Sequence, residues 1–118
     1  MGFDERRAQL IWDGAALNST PSIGLYKEPE VALCTAGICL DVVGLQYSVI
    51  SSDSIMKIVD EFPRLGMKTR MTRCFCHIAK VKPETTYDNF VRDFGERFVR
   101  GYKAPSVVDL VMNTPFEE

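Results

Sequence analysis

The stretch Glu28-Pro29-Glu30-Val31-Ala32-Leu33-Cys34-Thr35-Ala36-Gly37-Ile38-Cys39-Leu40-Asp41-Val42-Val43-Gly44 decides how this chain is read. Proline suits a first helical position, and flanking acids favour the positive end of a helix dipole, so a helix opens at Glu28–Glu30. Beyond that opening the segment is apolar nearly all round, which predicts the central helix of the fold. One carboxylate, Asp41, stands alone in the uncharged run from Val31 to Ser52. A buried ionised carboxylate without a partner costs several kcal/mol, so Asp41 is expected to be paired, hydrogen-bonded, protonated or bound to a cation. That makes it the first candidate for chemistry.

On either side of this segment the periodicity is helical too. A first helix is expected from Asp4 to about Leu17, with an acidic first turn and Ala8, Ile11, Trp12, Ala15 and Ala16 near helical spacing. Asn18 to Ser22 stops it, and a loop through Gly24 and Tyr26 follows. Ser52 or Asp53 is expected to cap a helix from Ser54 to Phe62, ended by Pro63 and Gly66. Another runs from about Lys68 to Val81, before Pro83. Thr85 or Thr86 is expected to cap a fifth, with Tyr87, Phe90, Val91, Phe94 and Phe98 as its apolar stripe. A short helix near Pro105-Ser106 completes the set. No segment alternates with period two, so the chain reads as an all-α compact bundle of about five to six helices forming one domain over residues 1–118.

Composition bounds the function. With 118 residues, 46% hydrophobic and 25% charged, the chain can bury a core and is not disordered. A net charge of -2 offers no global attraction for nucleic acid or an anionic membrane. The N-terminus carries charges where a signal peptide needs its apolar segment, and the Val31 to Ser52 run is interrupted by Asp41 and Gln46. The expectation is a cytoplasmic protein with no membrane and no nucleic acid among its partners. Cys34/Cys39 and Cys74/Cys76 lack the Cys-x-x-Cys spacing of zinc or redox sites and read as reduced core thiols.

Other candidates have ordinary readings. His77 is the single histidine, and one histidine cannot build a multi-histidine metal site. Lys68, Arg70, Arg73, Lys80 and Lys82 read as a solvated helix face, with no aromatic interleaving for base stacking. Trp12, next to Asp13, reads first as a core anchor beside a capping acid and second as a pocket wall. Neither a Gly-x-Ser-x-Gly elbow nor a Gly-rich phosphate loop is present.

Three segments, Trp12-Asp13-Gly14-Ala15-Ala16-Leu17-Asn18-Ser19-Thr20-Pro21-Ser22-Ile23, Lys27 to Leu33 and Ala36 to Gly44, together resemble the C-terminal half of HD-domain proteins of the cyanamide-hydratase-like branch. Phe62 to Gly66, Lys82 to Thr86 and Pro115 to Glu118 carry the same resemblance. It implies an all-helical fold in which a histidine, a His-Asp dyad and a later aspartate hold divalent metal that activates water. Asp41 falls on that later aspartate, Asn18 where relatives commonly carry a histidine, and Tyr26 where some carry another. No His-Asp dyad exists here, since His77 is followed by Ile78, so the chain reads as an HD protein beginning in mid-domain.

These readings imply no metal and no cofactor. The expected function is a repurposed, metal-independent HD-like enzyme of lyase, isomerase or cyclase type. Asp41 would act as acid, base or orienting group, with Trp12, Asn18 and Tyr26 around a small organic molecule in an apolar pocket. The alternatives are a noncatalytic small-molecule-binding or interaction protein, and the C-terminal part of a split metal-dependent HD hydrolase. Apolar faces left bare by the missing half are expected to be covered by a homodimer partner or another chain.

Overall fold

The computed structural model describes Gly2 and residues 4–116, and every regular element among them is helical. The all-α expectation therefore holds. Contacts gather into two compact units, one ending at Pro63 and the other starting at Arg64.

In the first unit, α1 (Glu5–Leu17) starts where Asp4 accepts the Arg7 backbone N–H at 2.8 Å. It stops at Asn18, whose side-chain amide donates to the Ala15 carbonyl at 2.6 Å. The segment expected to be a loop forms the short helix α2 (Pro21–Gly24), opened by proline at its first position. Four residues are too few for periodicity to reveal. α3 (Pro29–Val43) follows as expected and closes on Gly44, whose φ of 74° lets its N–H reach the Leu40 carbonyl at 3.0 Å. α1 and α3 run in the same direction, with Arg6 3.7 Å from Glu30 near their starts and Gly14 facing the Cys34 sulfur further along.

α3 is not buried all round. It buries one stripe, Val31, Thr35 and Cys39, at successive four-residue steps. Leu33 and Val43, each 74% accessible, face out. α2 seals the buried stripe: Gly24 lies so close to Thr35 that a β-carbon there would stand 2.5 Å from the threonine hydroxyl. α4 (Ser52–Glu61) is capped by Ser51, one residue before Ser52 and two before Asp53, the expected caps. Ser51 is extended and its hydroxyl accepts the Ser54 N–H at 3.2 Å, whereas Ser52 is already helical.

In the second unit, α5 (Met67–Val81) packs against α6 (Val91–Phe98) through Phe75, whose ring centroid lies 5.1 Å from those of both Phe90 and Phe94, edge to face. The expected helix cap at Thr85 or Thr86 does not form. Both hydroxyls donate backward, to the carbonyls of Lys82 and Pro83 at 2.8 and 2.6 Å, and residues Pro83–Thr86 make a 3-10 turn instead. This is the local competition that threonine offers to a helix. Gly95 lets α6 meet the Tyr102 ring, and the Tyr102 hydroxyl pairs with buried Thr86 at 2.6 Å. α7 (Val107–Met112) begins, as expected, after Ser106.

Candidate functional site

The parallel course of α1 and α3 leaves an open groove of about 690 Å³ between them. Leu10, Ile11, Gly14 and Ala15 form its α1 side, and Cys34 and Ile38 its α3 side. Gly14 and Ala15 keep this floor low, and a β-carbon at Gly14 would sit in ordinary contact with the Cys34 sulfur at 3.6 Å. Arg7 and Glu30 stand at one end, beside the Arg6–Glu30 ion pair, and Asn18 lines the wall at the C-terminal end of α1. Between these polar ends the walls offer no charge. The groove can hold an apolar group and orient it through the Asn18 amide, a combination suited to recognition.

Of the four residues expected to form a site, Asn18 alone lines this groove. Asp41 is exposed rather than buried in a dry helix interior, because α3 buries a single stripe and Asp41 lies off it. It sits three residues beyond Ile38, so helical spacing carries the α3 side of the groove toward it. Trp12 is 64% accessible and lines a separate open depression on α1 with Glu5, Ala8 and Gln9. It is not a core anchor. Tyr26, between α2 and α3, is 87% accessible.

The buried acid of this unit is Asp13, which the sequence reading placed as a cap. Asp13 is 5% accessible and its Oδ2 lies 3.0 Å from Lys27 Nζ, while Gln9 Nε2 donates to its Oδ1 at 2.9 Å. The bond from Lys27 holds the Asp13 carboxyl below the usual aspartate range against the opposing effect of desolvation. In return, the bond to Asp13 and the carboxylates of Asp13 and Glu28 raise the Lys27 ammonium above its usual range. The signal available in the sequence was the four-residue step from Gln9 to Asp13. The partner, Lys27, comes from beyond α2 and had no such signature.

The cysteines divide. Cys39 is buried, Cys34 and Cys74 are exposed, and all four are free thiols. The core-thiol reading fails for Cys34, which faces α1 across the open groove, and for Cys74, which lies on the exposed side of α5. His77 is exposed. No cluster of three or more His, Cys, Asp or Glu side chains suited to a metal ion occurs among the described residues. No helix among them is long and apolar enough to cross a membrane. No family model, curated protein or solved structure matches the chain.

Proposed function

We propose that the α1–α3 groove is the working surface of this chain and that it binds an apolar group of a small organic molecule or of a partner chain without turnover. The observation that carries this reading is the apolar floor of Leu10, Ile11, Gly14, Ala15, Cys34 and Ile38, open to solvent and bounded by Asn18 at one end. A fluorescence titration with an uncharged apolar probe, N-phenyl-1-naphthylamine, tests it. Binding should be saturable and weaken at least tenfold in Ala15→Trp, which fills the groove from an exposed position. Equal binding by the two proteins would sink the reading.

Partner coverage is part of the proposal. The chain exposes 9849 Å². Two separate compact units of half its mass would together expose only about 7,800 Å². The excess, about 2,000 Å², is more than the roughly 800 Å² that each side contributes to a standard interface. It does not depend on how the two units are disposed. A homodimer through the faces of α1 and α3 accounts for exposed Ile11 and Leu33.

The metal-independent HD-like enzyme is the second reading, favoured by Asn18 in the groove wall and by Asp41 three residues beyond Ile38. Its resemblance to the cyanamide-hydratase-like branch rests on the sequence segments alone. Exposure of Asp41 argues against it, because acid–base catalysis near neutral pH gains from a dehydrated carboxyl. Asp41→Asn separates the two: a loss of turnover of about 100-fold or more with unchanged groove binding supports the enzyme.

A further inference from the structure

The two units carry opposite charge. Residues 1–63 hold four Lys and Arg against nine Asp and Glu, and residues 64–118 hold ten against seven, so the chain-wide net of -2 averages a unit at -5 with one at +3. Asymmetry of this kind points to an anionic partner for the basic half.

The basic residues converge on one helix face. α5 contains Lys68, Arg70, Arg73, His77 and Lys80 and no acid, and all five are exposed. Arg70, Arg73, His77 and Lys80 recur at steps of three and four residues, a single line about 15 Å long. The opposite face is committed, with Phe75 on the rings of Phe90 and Phe94 and Ala79 buried. Packing against α6 therefore holds the basic line outward.

Stability does not explain this arrangement. None of the five forms an ion pair among the described residues. Lys68 and Arg70 lie near the positive end of the α5 dipole, and Arg70 and Arg73 repel at three-residue spacing. Neutralisation by an external polyanion relieves both penalties.

We propose that the basic face of α5 binds the phosphate backbone of duplex DNA. A line of charge about 15 Å long spans four to five phosphate steps of one strand, at about 3.4 Å each. Arginine forks suit phosphate oxygens, and a single helix fits the major groove. Membrane insertion is disfavoured because the apolar face of α5 is occupied by α6. Single-stranded nucleic acid is disfavoured because no aromatic side chain interleaves with the basic line. Sequence alone reads this face as solvated because acids of the other unit cancel its charge in the chain-wide net of -2.

Fluorescence anisotropy of the full chain with a labelled duplex of about 20 base pairs, from roughly 20 to 200 mM NaCl, tests the proposal. Arg70, Arg73 and Lys80 carry the charge of the line, and three phosphate contacts give a slope of log affinity on log salt of about -2.7. The double variant Arg70→Gln/Arg73→Gln should bind at least tenfold more weakly and lose about two from that slope, with its thermal melt unchanged. Lys57→Gln, on α4 of the other unit, should bind like the unaltered chain. Absence of binding at the lowest salt, or a double variant as tight as the parent, overturns the proposal. So does tighter binding of polyglutamate than of DNA, which would assign the face to an acidic protein.

Discussion

Lys27 Nζ stands 3.0 Å from Asp13 Oδ2 and ties the segment between α2 and α3 to the buried side of α1, across the intervening helix α2. Gln9 completes the pairing from one turn earlier on α1. This clamp, and not Asp41, is where the first unit spends a buried carboxylate.

The clamp should make stability depend on pH at both extremes. Asp13 is depressed below its unfolded value of about 3.9, so its contribution is complete above that pH and is lost as pH falls through the lower folded value. Lys27 is raised above about 10.4, so its contribution is complete below that pH and is lost as pH rises through the higher folded value. Asp13→Asn should lower the melting temperature at pH 7 and converge on the parent in strong acid. Parallel melting curves for the two proteins from pH 7 down to pH 2 would show that the clamp contributes nothing.

Gly24 should not tolerate a side chain. A β-carbon there meets the Thr35 hydroxyl at 2.5 Å and the Leu17 carbonyl at 3.1 Å, and the carbonyl belongs to backbone that cannot swing away. Gly24→Ala should cost about 1 to 3 kcal/mol in urea unfolding. Adding Thr35→Ala removes one of the two obstacles, so the double variant should lose less than the sum of the single changes. Strict additivity would mean the two residues do not press on each other.

Thr35 offers a change in the other direction. It is fully buried and its hydroxyl has no hydrogen-bond partner. Thr35→Val keeps the branched shape and removes the unsatisfied group, and should stabilise the chain by about 1 kcal/mol. A lower urea midpoint would instead show that the hydroxyl is satisfied in solution.

Covering the exposed faces of α1 and α3 predicts a dimer at micromolar concentration by light scattering, burying about 1,600 Å² or more in total. Leu33→Glu, placed on a 74% accessible position, should yield a monomer that melts with intact helicity. A parent chain that is already monomeric defeats the dimer but leaves the groove and its apolar probe untouched.

The sequence by itself determined that the chain is helical and roughly where its longer helices lie, but not the short helix α2 or the start of α6. Apolar spacing of three and four residues, Pro29 at a helix start and Ser106 before the last helix act over one or two turns, so neighbouring residues are enough to read them. What only the tertiary structure decided is which side each helix hides. Asp41 looked buried because its neighbours in the chain are apolar, yet burial depends on what packs against a face, and α1 and α2 cover the side of Val31, Thr35 and Cys39 instead. Asp13 became the buried acid for the same reason, since its partner Lys27 arrives through α2. Thr85 and Thr86 turned back to carbonyls behind them, and the opposite charges of the two units emerged once contacts divided the chain between Pro63 and Arg64. Local spacing specifies an element, whereas the choice of buried face is a pairing between elements distant in sequence.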